Sequence, residues 1–193
     1  SVQANGNGSL IIGGEQITAN GGSSVLINSI VCNTQADDFY SRNVLIGSEY
    51  CGTGDTTGLS FIASAYQSAS YGTHGVVLAG SWDTVHAYHE LIFGSAAVSD
   101  ATGASNNWQK SDFLLHIGNA IDSISKHDAF MQIKNGNIAI GDSLTLADKP
   151  TPSGPMLRVV GTVQVDSLLT LNNALDSAFI YALAPSKPAI VYC

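Results

Sequence analysis

The residues that could do chemistry are mostly acids, histidines and aromatics. Asp37, Asp38, Glu49, Asp55, Asp83 and Glu90 are the carboxylates a hydrolase would draw on. A glycosidase needs two of them about 5 to 10 Å apart, one in a setting that raises its pKa. Nothing in the sequence pairs any two. Asp37 and Asp38 are adjacent in "ADDFY", so on a strand they point to opposite faces. Solvated loop acids are the plainer reading. His86 and His89 are three apart in "VHAYHE". On a helix that spacing could bind a metal, and on a strand it could not. No G-x-S-x-G elbow and no G-x-x-x-x-G-K-[ST] loop is present, so the expectation is no metal and no cofactor. Whether the protein is an enzyme stays open, with the weight toward a non-enzyme.

A lectin-like surface fits the side chains better. Sugar rings stack apolar C–H faces on aromatics and offer hydroxyls to polar side chains. "DDFYSRN" supplies Tyr40 and Arg42, "SWDTVHAYHE" supplies Trp82, Asp83 and Tyr88, and "NNWQK" supplies Trp108. These six are the candidate carbohydrate-binding residues. For each aromatic the competing reading is burial in the core or at a subunit interface.

The elements that would carry these residues are strands. Short runs rich in Val, Ile, Leu, Phe and Tyr, bounded by Gly, Asn, Asp and Ser, predict strands at 9–12, 25–31, 43–47, 59–66, 75–80, 89–93, 113–117, 129–134, 137–141, 156–160, 162–166 and 189–192. "FMQIKNGNIAIG" predicts a hairpin with a two-residue Asn135-Gly136 turn of type I′. Helical periodicity is sparse, with "HAYHELIF" (86–93) and 166–183 as the two weak candidates. "ADKPTPSGP" carries three prolines and cannot continue a ladder, which sets a boundary near Pro150. The expected organisation is a β-rich module over 1–149 and a small C-terminal module over 150–193.

Composition narrows the partners. Only 11% of the 193 residues are charged, against roughly 25% in typical soluble domains, so small neutral polar residues do most of the solvating. The net charge is −8, and the seven basic residues form no patch in the sequence. A nucleic-acid backbone or an anionic membrane surface would be repelled. No apolar run approaches the roughly 20 residues of a membrane-spanning helix. The opening "SVQANGNGSL" reads as a piece cut from a longer protein. Cys32, Cys51 and Cys193 form no CxxC pair. A Cys32–Cys51 disulfide and buried free thiols both remain open, the thiols being the blander case.

One phrase recurs: a few apolar residues, then Gly, then something small and polar. Its glycines are Gly13, Gly47, Gly80, Gly94, Gly118 and Gly141. Their unequal spacing does not define a strict solenoid. Either strands end on Gly because turns need positive φ, or short strands are shared between identical chains, where small residues let backbones approach.

The run 43–82 resembles the degenerate head repeats of trimeric autotransporter adhesins and phage tail fibres. The run 130–171 is closer and resembles a tail-fibre and tailspike segment reading G-N-x-x-I-G, a Pro-containing linker, then L-x-V-x-G-T-V. Here those residues are Gly136, Asn137, Ile140, Gly141, Pro150, Pro152, Pro155, Leu157, Val159, Gly161, Thr162 and Val163. The match covers roughly a fifth of the chain. It implies a distal, trimeric part of a phage tail fibre or tailspike, located in the virion tail, that binds bacterial surface polysaccharide or lipopolysaccharide. In that family a self-cleaving chaperone domain with a long charged helical tail often follows; this sequence departs at "LAPSKPAIVYC", and the expectation is that the chaperone was either removed or never part of the fibre. The expected fold is all-β with little helix: an elongated intertwined homotrimer of short strands, β-helical or β-prism-like. Two alternatives accompany it, a polysaccharide depolymerase with an inter-subunit carboxylate site and a purely structural trimerisation cap.

Overall fold

The computed structural model describes residues 2–20, 23–34, 42–54 and 59–161. Within them the chain is all-β, with one 3₁₀ turn at Leu146–Asp148. As far as residue 95, successive strands alternate between two sheets, as in a β-solenoid. One sheet stacks β1 (Val2–Ala4), β3 (Ile17–Ala19), β5 (Asn33–Thr34), β7 (Gly52–Thr53), β9 (Ala69–Ser70) and β11 (Thr84–Val85) in parallel. The other has ten strands. Its solenoidal part is β2 (Leu10–Ile12), β4 (Val25–Ile27), β6 (Arg42–Ile46), β8 (Leu59–Ala63), β10 (Val76–Ser81) and β12 (Leu91–Ser95). β13 (Phe113–Asn119) adds in parallel to β12. β14 (Asp128–Ile133) and β15 (Ile138–Leu144) then form an antiparallel end, and β16 (Leu157–Val160) pairs in parallel with β15 beyond the proline-rich stretch.

The coil has a basic length that insertions disguise. Pairing joins Val2 to Ile17 and Leu10 to Val25, each fifteen positions further along. The next step is longer, from Val25 to Val44, and the one after it, from Val44 to Phe61, is intermediate. Two further steps return to the basic length, from Phe61 to Val76 and from Val76 to Leu91. The irregular glycine spacing therefore hides a solenoid. At one corner every coil places a residue at positive φ: Gly13, Asn28, Gly47, Ser64, Ala79 and Gly94. Glycine takes that conformation freely and other residues at a cost. The ladder continues through the corner, since Asn28 N–H donates to Ile12 O at 2.8 Å and Gly47 N–H to Ile27 O at 2.9 Å.

The interior is filled by columns of like residues. Leu26, Leu45, Ile62, Val77 and Ile92 stack one per coil from the ten-stranded sheet, and Ile17, Cys32 and Cys51 face them from the other. Both cysteines are free thiols. Each hydrogen-bonds nearby carbonyl oxygens, Cys32 Sγ to Ile30 O and Cys51 Sγ to Glu49 O, both at 3.3 Å. A second core of Val98, Phe113, Met131, Ile133, Ala139 and Leu144 lies under the antiparallel end.

Three expectations change here. The hairpin exists, but Ile133 N–H donates to Asn137 O and Gly136 N–H to Ile133 O, so its loop is the three residues Lys134–Gly136. Gly136 sits at φ +95 and Asn135 is not left-handed, which is a type I turn closed by a left-handed glycine rather than type I′. "HAYHELIF" is a turn followed by β12, because Glu90 Oε2 takes the backbone N–H groups of both His86 and Ala87 and holds the chain in that turn. The strands of the six-stranded sheet are absent from the sequence-based set, since they are only two or three residues long. The predicted elements at 162–166, 166–183 and 189–192 lie outside the described residues.

Candidate functional site

The interior changes character toward the antiparallel end. Moving along the coils, the column Cys32, Cys51, Ser68 ends in Asp83, and the column Ser24, Asn43, Ser60 ends in Glu90. Both carboxylates are buried. β13 brings His116 in above Ile92, and β14 brings Asp128. His116 Nε2 lies 2.8 Å from Glu90 Oε1 and Nδ1 lies 3.0 Å from Asp128 Oδ2. The remaining oxygens are also occupied: Glu90 Oε2 by His86 and Ala87 N–H, and Asp128 Oδ1 by Val98 N–H at 3.1 Å. Burial alone would drive the imidazole toward neutrality. The hydrogen bonds and charges of Asp128 and Glu90 overcome it and push the pKa of His116 up to about 9. His116 is thus an imidazolium between two carboxylates at neutral pH.

This cluster resembles an acid–base constellation by residue type, but its geometry is that of a clamp. His116 and Asp128 are 0% exposed and Glu90 is 2% exposed, so no substrate reaches them. Its partners come from the turn before β12, from β13, from the stretch after β12 and from β14, which ties the solenoid to its antiparallel end. Asp83 stands beside it. Burial raises its pKa to about 6, against the pull of the Ala97 N–H on Oδ1. Its Oδ2 is buried without a hydrogen-bond partner.

The structure separates the other sequence candidates. Tyr40 lies outside the described residues. Arg42 opens β6 on the outside, beside a shallow cleft of about 280 Å³ shared with Leu59, Phe61 and His74. Trp82 sits at a corner with φ +61, and its indole N–H donates to Gln67 Oε1 at 2.6 Å. Trp82 and Asp83 are neighbours in sequence, yet one faces out and the other in. Tyr88 packs against His74 and His89, with ring centroids 5.4 and 4.1 Å away. Trp108 is 53% exposed. Lys134 Nζ lies 5.9 Å from the Tyr88 ring centroid and 5.2 Å from that of Trp108, so these two candidates share one cation. His86 stacks on Tyr71, at 5.6 Å between ring centroids.

Two surface features escape a reading of residue types. First, Tyr50, Tyr66 and Trp82, from successive coils, make edge-to-face contacts at 5.9 and 6.1 Å along one corner. Second, the outer face of the ten-stranded sheet is apolar from end to end. Side chains flanking the buried column on each strand point outward. One row runs from Leu10 through Val44, Phe61, Leu91 and Leu115 to Leu157. The other runs from Ile12 through Ile46, Leu78, Phe93 and Ile117 to Val159. Of these two rows across ten strands, Gln132 alone is polar. Ile12 is 52% exposed, Phe93 39% and Ile140 42%. The period-two pattern of a half-solvated strand, apolar inward and polar outward, fails on nearly every strand, and that failure marks this face.

No protein-family model, no curated protein and no solved structure matches this chain. By architecture the chain is a β-solenoid with an antiparallel end.

Proposed function

We propose that this chain is a self-associating module of a phage tail fibre or tailspike, which assembles as an intertwined homotrimer in the virion tail and attaches the particle to bacterial surface polysaccharide or lipopolysaccharide. The outward apolar face of the ten-stranded sheet carries the reading. At about 4.8 Å per strand, ten strands make a strip roughly 43 Å long. With two rows of side chains it covers roughly 500 Å², at the upper end of what a monomer leaves in water. Three copies facing a common axis would cover it without using a sheet edge. The resemblance of 130–171 to tail-fibre segments supports the same reading, as do the outward-facing aromatics. The depolymerase alternative gains nothing from the gathered carboxylates, which are sealed.

Light scattering tests the assembly. The expected mass is three times the 20.0 kDa chain, and Phe93→Lys, in the middle of the strip, is expected to release monomers with an unchanged β-sheet circular dichroism spectrum. A monomeric parent protein at tens of micromolar would remove the basis of the proposal. Binding of labelled protein to candidate host cells tests attachment.

A further inference from the structure

We infer that the groove across the middle of the six-stranded sheet is a binding site for a neutral glycan. The inference rests on the attachment reading above and names the surface and the ligand class within it.

The outward positions of this sheet pair along the ladder as Thr18, Asn33, Gly52, Ala69 and Thr84. Gly52 and Ala69 are neighbours, so the sheet surface is lowest there. Tyr50 and Gln67 rise on one side, both at left-handed corner positions that carry their side chains outward. Tyr71 rises on the other. The open groove between them has a volume of about 380 Å³, within the range of small-molecule sites. Tyr50 is 49% exposed and Tyr71 47% exposed.

Both rings are held in place. Tyr50 meets the edge of Tyr66. Tyr71 is backed by His86 and extends over Gly54, where a Cβ would come within 2.5 Å of its Cδ1. Rigid aromatics at a small-residue floor suit the flat C–H face of a pyranose at little entropic cost. Polar groups are also placed. Gln67 is oriented by the Trp82 indole, and Asn33 also lines the groove.

Charge selects the ligand. Residues 1–109 contain eight carboxylates and a single cation, Arg42. Arg42 lines the other cleft. A uronic or sialic acid polymer would meet repulsion without a counter-charge in the groove, while a neutral hexose or N-acetylhexosamine chain would not.

The test titrates the ¹⁵N-labelled full chain with four neutral oligosaccharides at 20 mM: maltohexaose, cellotetraose, galactotetraose and tetra-N-acetylchitotetraose. Hexagalacturonate is the acidic control. Expected are amide shifts centred on Tyr50, Gly52, Ala69 and Tyr71 with at least one neutral sugar and none with the acid. Tyr71→Ala is expected to weaken that binding about tenfold, and Ala69→Phe, which fills the floor and leaves both tyrosines, to abolish it. Thr18→Ala, on the same sheet outside the groove, is expected to leave it unchanged. Light scattering on each variant separates loss of the groove from loss of the assembly. Shifts centred instead on Arg42 or Trp108 would overturn the groove and leave attachment standing. No shift with any neutral sugar, or preference for the acid, would also overturn it, and whole-cell binding then decides the attachment reading separately.

Discussion

Replacing His116 with Gln is expected to abolish a loss of stability between pH 6.5 and 9. In the unfolded chain this histidine titrates near 6.5, and in the folded protein near 9. Between these values the folded state holds one more proton than the unfolded state. The stabilisation is therefore fully present below pH 6.5 and is lost as pH rises through 9. At about 1.4 kcal/mol for each pKa unit, the difference amounts to about 3 kcal/mol. That is a large share of the roughly 5–15 kcal/mol typical of a whole domain. The assay is urea denaturation of parent and variant from pH 6 to 10 at one fixed protein concentration, because association adds its own stability. Comparing the two proteins at each pH removes the titration of Tyr and Lys common to both. The advantage of the parent should shrink by about 3 kcal/mol across the window. A difference that stays flat, or that grows with pH, would refute the imidazolium clamp and mean that His116 is neutral between its carboxylates.

Other outcomes follow from the same interior. Asp83 has a folded pKa raised to about 6 by burial, so its ionisation opposes folding; parent stability should fall between pH 4 and 6, and Asp83→Asn should lack that fall in the same urea assay. Gly47→Ala and Gly94→Ala both force Ala into the left-handed corner, but with different surroundings. At Gly47 nothing lies within 4 Å of an added Cβ, so the expected loss is about 1 kcal/mol from backbone conformation alone. At Gly94 the Cβ would come 2.1 Å from Gly118 O, and thermal unfolding should show at least about 2 kcal/mol more. Equal losses at the two sites would argue against the close approach of β12 and β13.

The ten-stranded sheet was legible because its strands are apolar runs of three to seven residues bounded by small polar ones. β16 was legible even past three prolines. The six-stranded sheet was not. Asn33–Thr34, Gly52–Thr53 and Ala69–Ser70 are too short and too polar to stand out, and only stacking on the coils before and after makes them strands. The coil period was hidden for a related reason. The left-handed corner is marked by Gly in three coils, but Asn28, Ser64 and Ala79 fill it in the others, so counting glycines skips turns. Gly80, one of the counted words, sits one residue past the corner. The charged clamp joins residues 90, 116 and 128, a separation no local pattern reports. Its acids look like surface acids by composition. The groove does not show in the sequence, because Tyr50 stands one coil before Gln67 and Tyr71 and all three lie apart from the aromatic-rich phrases.

Uneven coil length has a consequence for how such a chain can change. The two longer steps place their extra length between β5 and β6 and between β7 and β8, while strand pairing on either side stays in register. Insertions there leave the stacked columns untouched, because each column counts coils rather than residues. Sequence variation could thus change the length of one coil at a time while the stacked spine on either side is inherited intact.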